Sequence, residues 1–243
     1  FPVLLNIFRT ARMHKSPKHW SLHTKITMIM TFAIVFMSLI WFLAVEWDNP
    51  VLFKDGDVDT RMRRAMVAAV MPRSSGFDLS SGIPMPDREQ EVFMSIVMFI
   101  GGGSTSTAGG IRVTTLAVIL LVCKAAFTGH TDVNAFHKRI PQHVIMTAIS
   151  ITASCVALVF IASVALMLIT DSSLSHAMFD TCSAFGLGGY TVGVAQENNP
   201  ASLYVLAAAM VVGRLGPMTL AYAVSRPKEL DVVRYPEGQI VVG

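Results

Sequence analysis

Apolar residues run almost unbroken through four stretches of the chain, at roughly 26–46, 90–127, 144–170 and 201–225. A bilayer-spanning helix needs about 20 consecutive apolar residues, so each stretch predicts a span. Two shorter, half-apolar segments lie between the first and second stretches and between the third and fourth: RMRRAMVAAVMPRSSGFDLSSG (61–82) and SLSHAMFDTCSAFGLGGYTVG (173–193). Both are too short to cross. Each predicts a re-entrant half-helix, opened by good capping residues (Asp59-Thr60; Asp171-Ser172-Ser173) and broken by small residues beside an aromatic, SSGF (74–77) and GGY (188–190). The chain therefore reads twice as span, half-helix, extended turn, span. Such internal duplication in a membrane marks pores and transporters. The expected fold is an all-α integral membrane protein of two repeats, 26–127 and 144–225. Around them lie a cytoplasmic N-terminal segment (1–25), a cytoplasmic loop (128–143) and a cytoplasmic C-terminal tail (226–243).

Composition fits that class: 53% hydrophobic and 14% charged, with a mean hydropathy of +0.56, against about a quarter charged in soluble domains. The distribution of charge sets orientation. Arg9, Arg12, Lys15, Lys18 and Lys25 precede the first span without an acid, Lys124, Lys138 and Arg139 face Asp132 alone, and Arg226, Lys228 and Arg234 follow the last span. Most acids occupy the other two connections: Glu46, Asp48, Asp55, Asp57, Asp59, Asp78, Asp87 and Glu89, then Asp171, Asp180 and Glu197. The positive-inside bias places both ends of this segment and the 128–143 loop in the cytoplasm. Cys123, Cys155 and Cys182 sit singly in apolar surroundings and read as small buried hydrophobes. The opening FPVLLNIFRTARMHK reads as the middle of a longer chain, and RYPEGQIVVG as a natural end.

A half-helix entering from outside aims its negative dipole end at the membrane centre, which favours a cation there. The turn that follows can line a path with backbone carbonyls, and glycine allows successive carbonyls to point inward. Gly76 and Gly189, each followed by an aromatic (Phe77, Tyr190), fit that task. The plainer alternative is a re-entrant loop that only packs.

The second span is interrupted by FIGGGSTSTAGGIRVTT (99–115). Neither phosphate-loop spacing fits: GxxxxGK[ST] has no match, and Ser106 occupies the third glycine position of GxGxxG after Gly101 and Gly103. Helix-packing motifs space their glycines one turn apart, whereas Gly101-Gly102-Gly103 and Gly109-Gly110 are contiguous and predict unwinding. Unwound backbone at membrane depth is tolerated where protein buries it or water lines it. Arg112 and Arg214 sit in apolar context, where charge faces a partner or water. Arg112 either binds loop carbonyls or reaches the cytoplasmic interface. Arg214 either sits beneath the turn, holding the glycine run, or pairs with an acid elsewhere. His14, His19, His130, His137 and His143 have no metal-ligand companions, and no nucleophile–base pair appears, so an enzyme is not expected. Asp55, Asp57 and Asp59 are placed to neutralise Arg61, Arg63 and Arg64.

GGGSTSTAGGIRVTT, SAFGLGGYTVG and MVVGRLGPMTLAYA together resemble the Trk/Ktr/HKT superfamily of potassium transporters, over nearly the whole chain. The resemblance implies the third and fourth of four span–pore-loop–span units around one fourfold pseudosymmetric cation pore. RYPEGQIVVG looks most like the Ktr-type membrane subunit, which implies a homodimer in a bacterial plasma membrane resting on a cytosolic nucleotide-binding ring. The filter falls on Ser74, Ser75, Gly76 and Phe77, and on Leu187, Gly188, Gly189 and Tyr190. Where the family has Arg-Thr-Ala-Gly-Phe, this chain has Arg73-Ser74-Ser75-Gly76-Phe77. Where it has Gly-Thr-Val-Gly-Leu-Ser, this chain has Gly186-Leu187-Gly188-Gly189-Tyr190-Thr191, losing a hydroxyl at Leu187 and gaining flexibility at Gly188. The gate loop falls on Gly101, Gly102, Gly103, Ser104, Thr105, Ser106, Thr107, Ala108, Gly109 and Gly110. Arg214 matches a gate-associated arginine, and Arg112 replaces a lysine. Potassium is the implied permeant ion, with sodium as an activating ion and no cofactor in this chain. Membrane lipid surrounds it, and no nucleic-acid partner is expected. A rival class is an alternating-access secondary transporter with a midplane substrate site.

Overall fold

The computed structural model describes residues 2–12, 20–45, 58–74, 88–103, 108–129, 132–136, 138–194 and 200–216. The described residues are mostly helical. Helix α1 (Pro2–Arg12) leads to α2 (Leu22–Ala44). Ser21 caps α2 by accepting the Thr24 amide at 3.2 Å, which starts this span a turn before the apolar run. Helices α3 (Val58–Val70) and α4 (Arg88–Phe99) follow, and α5 (Val113–Phe127) begins after a non-helical break. A two-stranded antiparallel ribbon, β1 (Asn134–Ala135) and β2 (Lys138–Arg139), occupies the next connection. Val133, Ala135 and Ile140 bury its inner side against α5 and α6. The polar pattern of that loop predicts no strands. Helices α6 (Gln142–Thr170), α7 (Leu174–Gly186) and α8 (Pro200–Leu215) complete the described chain.

Only α2 and α6 reach spanning length among the described residues, at 23 and 29 residues, while α5 and α8 are shorter apolar helices. Residues 217–225 of the fourth apolar stretch lie outside the described residues, as does the tail at 226–243. The outward faces of the long helices are apolar. Phe32 and Phe36 on α2 and Phe160 and Ile161 on α6 are each more than 60% exposed. Large exposed apolar side chains of this kind on two long helices suit a hydrocarbon solvent and would aggregate in water.

The core forms where the half-helices plug in. Helix α7 packs against α4, α6 and α8, and α3 against α2. Phe42, Met94, Met98, Leu166, Phe179 and Leu206 are among the buried residues of the largest cluster. Glu91, 5% exposed, accepts the Ser175 hydroxyl at 2.7 Å and lies 3.2 Å from His176 Nε2, joining the starts of α4 and α7.

Three local expectations change. Ser173 alone caps α7, accepting the His176 amide at 3.3 Å, whereas Asp171 adopts a left-handed conformation (φ +49°) that ends α6. Asp59 and Thr60 lie inside the first turn of α3, since that helix begins at Val58. Asp59 there pairs with Arg63 across one exposed turn. Cys155 and Cys182 are buried, but Cys123 is exposed on α5.

Glycines let the helices approach backbone to backbone. A Cβ on Gly213 of α8 would lie 2.0 Å from the Phe185 carbonyl oxygen, and one on Gly186 would lie 2.0 Å from the Met98 carbonyl oxygen. Gly213→Ala therefore has to push α8 off α7. Overpacking of this severity costs about 2 kcal/mol or more. The expected outcome is a lower melting temperature of the purified protein in detergent, and an unchanged one would contradict this contact.

Candidate functional site

Every helix leaves its last carbonyls without intrahelical partners, and in a membrane water does not replace them. At the end of α7 all four find partners in the protein. Ser183 O accepts the Gly188 amide at 2.8 Å and Ala184 O the Leu187 amide at 3.2 Å, the paired bonds of a Schellman ending. Phe185 O accepts the Gly110 amide at 3.1 Å. Gly186 O accepts the hydroxyl of Ser74. One helix end thus joins its own turn, the end of the glycine run and the segment after the first half-helix.

The Schellman ending usually carries glycine at its left-handed position, but here it carries Leu187 (φ +57°). A side chain at this position carries a conformational cost that glycine would not. Gly188 is buried, and a Cβ there would meet Met98 Sδ at 2.7 Å and Pro72 O at 3.4 Å. Its glycine serves close packing in a tied turn, where the sequence alone expects flexibility. Gly189 (φ +89°) is exposed, and Tyr190 is half-buried against the main core. The Tyr190 amide donates to Ser183 Oγ at 2.9 Å. Beyond it the chain turns back onto α7, where the buried Asp180 carboxylate accepts the Val192 and Val194 amides and the Thr191 hydroxyl. Sequence reasoning counted Asp180 only among the acids of an outer connection. Its place on α7, six residues before the helix ends at Gly186, was the one available signal.

The break between α4 and α5 has a closed neck. Ile100 and Ile111 pair as an isolated parallel bridge. The Gly101 amide donates to Ile111 O at 2.8 Å, the Ile111 amide to Phe99 O at 3.0 Å and the Val113 amide to Gly102 O at 3.1 Å. A Cβ on Gly101 would sit 1.8 Å from Gly109 O, and Gly110 has φ +77°. The contiguous glycines do leave the helix. They also pack, because the two sides of the neck touch where no side chain fits. Gly109 lies against the Phe185 carbonyl, where a Cβ would come within 2.5 Å. Gly103 and Ala108 are half-buried, and Ser104, Thr105, Ser106 and Thr107 lie outside the described residues.

Arg73, directly after the first half-helix, reaches the same neck. Its guanidinium donates to Gly101 O at 3.4 Å and to Thr31 O of α2 at 3.5 Å. Both are long bonds. Ser74 follows in a left-handed conformation (φ +55°), aimed at Gly186. Ser75, Gly76 and Phe77 lie outside the described residues, so the structure brings together only the beginning of the first turn with the second. Arg112 stands half-buried at the N-cap position of α5, on the far side of the neck. Arg214 is exposed on α8, one residue beyond the Gly213 contact. Among the described residues no three His, Cys, Asp or Glu side chains converge to hold a metal ion.

Comparison with known proteins matches residues 17–232 to TrkH, described as "Cation transport protein". The chain is 29% identical over 243 residues to Ktr system potassium uptake protein B of Bacillus subtilis, covering all of this chain and 53% of that protein. It is also 29% identical over 243 residues to the potassium/sodium uptake protein NtpJ of Enterococcus hirae, covering 98% and 53% respectively. The crystal structure of the potassium transporter TrkH from Vibrio parahaemolyticus superposes with a TM-score of 0.70 at 17% identity, over 93% of this chain and 48% of that one. The chain thus spans about half the length of the relatives it matches. With the family match extending from residue 17, ahead of α2, to residue 232, past α8, this chain belongs to the TrkH family of cation transport proteins.

Proposed function

We propose that this chain forms half of a monovalent-cation uptake pathway in a bacterial plasma membrane, passing potassium inward through a carbonyl-lined filter and controlled by the 101–110 loop. One observation carries the reading. The four end carbonyls of α7 are all taken, so the turn at 187–190, where Gly189 alone is exposed, is what remains to line a path, and Gly189 adopts φ +89°. Backbone in that state can present carbonyls to a dehydrated cation, as a filter requires. The relatives named for potassium and potassium/sodium uptake support the same substrate class.

Two units do not surround a fourfold path, so the remaining half comes from elsewhere in the full protein. The Ktr-type relatives support a membrane subunit that works with further system components, which we take to be a second copy and a cytosolic nucleotide-binding ring. Any nucleotide belongs to that ring, and sodium acts as an accessory ion. For the loop, its pinned neck supports a division of labour. Gly101, Gly102, Gly109 and Gly110 hold position while 103–108 moves between blocking and open arrangements, with Arg112 and Arg214 as the charges beside the inner path.

The filter claim is tested by potassium uptake of the full-length protein in a bacterium lacking its own uptake systems. Gly189→Asp should abolish uptake or reshape cation selectivity at normal membrane abundance; wild-type selectivity would contradict the filter. In the same cells, deleting 103–108 should raise potassium flux and loosen its dependence on the cytosolic partner. Unchanged flux in a folded deletion variant would remove the gate.

A further inference from the structure

Asp180 lies on α7, 3% exposed, with the turn folded back over it. Its Oδ1 accepts the Val192 amide at 2.8 Å. Its Oδ2 accepts the Val194 amide at 3.1 Å and the Thr191 hydroxyl at 2.8 Å. Two of these partners are backbone N–H groups, which only donate, so both oxygens must accept. A carboxylate does this and an amide side chain does not. Hydrogen bonds to a charged acceptor are shorter and stronger than neutral ones, and a low-dielectric surrounding strengthens them further.

Place these bonds beside those at the helix end. The turn leaves α7 fastened by the Leu187 and Gly188 amides, is caught midway by Tyr190 on Ser183, and is caught again at 191–194 by Asp180. Every anchor is on α7 itself. Gly189 is exposed within this span, so the spread of the turn around it depends on how far Asp180 draws the returning chain inward.

We propose that Asp180 is the positioning residue of this cation path, setting the spread of the 187–190 turn on which discrimination between monovalent cations depends. The proposal rests on the cation-path reading above. It assigns discrimination between ions to a buried side chain as well as to backbone glycines.

The test measures potassium and sodium dependence of transport by the full-length protein in proteoliposomes. Asp180→Asn keeps size and removes one acceptor and the charge. It should raise the half-saturating potassium concentration by about tenfold or more and lower the potassium-to-sodium ratio. Thr191→Val, which removes one bond and keeps the carboxylate, should move both in the same direction by less, and Thr191→Ser should restore them. Wild-type half-saturation and ion ratio in Asp180→Asn would overturn the proposal. So would variants that lose only abundance and maximal rate. Should Asp180→Asn fail to reach the membrane, Thr191→Val decides alone, with wild-type ratios overturning the role. A wild-type protein that moves neither ion removes the cation-path reading and this proposal with it; transport by the wild type with unaltered variants removes only the role of Asp180.

Discussion

The end of α7 is the constraint on which the rest of the structure depends. A helix that stops inside a membrane leaves carbonyls that lipid does not solvate, and each needs a protein donor. Here the donors come from the two residues that follow the helix, from Gly110 at the close of the broken span, and from Ser74 after the other half-helix. Satisfying four backbone acceptors is thus what brings the turn after α7, the neck of the break between α4 and α5, and the segment after α3 to one place. The glycines at 101, 109, 186, 188 and 213 follow from the same demand. The segments meet backbone to backbone, and a Cβ at any of these positions would lie within 3.0 Å of a neighbouring atom.

Much of the architecture was legible because it is local. Long apolar runs, half-apolar segments between them and contiguous glycines each state a backbone preference within a few residues. The mostly helical, membrane-suited fold and the family follow from them. The site was less legible because its contacts are long-range. Nothing near Met98 shows that it presses on Gly186 and Gly188, and nothing near Gly213 shows that it meets Phe185. Asp180 looked like any outer acid until the chain beyond Tyr190 turned back onto it. Cap choice failed for a related reason. Asp171, Ser172 and Ser173 are all good capping types, and only the geometry of the α6–α7 corner assigns the left-handed ending to Asp171 and the cap to Ser173. Residues 75–87 and 104–107, where part of the filter and the middle of the loop were expected, lie outside the described structure.

Backbone pairing at Ile100 and Ile111 fixes where the loop begins and ends, and bonds to α7 and from Arg73 tie both sides of its neck to the pore segments. The proposed gating would leave this neck, and the turn bonded to it, in place.

The most direct measurement is the position of a permeant heavy cation in the full-length protein, by anomalous scattering from crystals grown with rubidium or thallium. The account predicts density on the axis bounded by the backbone of 187–190 and its counterparts in the other repeats, with the 101–110 loop beneath it. Density confined to a side-chain-lined pocket at the membrane midplane, away from 187–190, would contradict it and favour an alternating-access transporter.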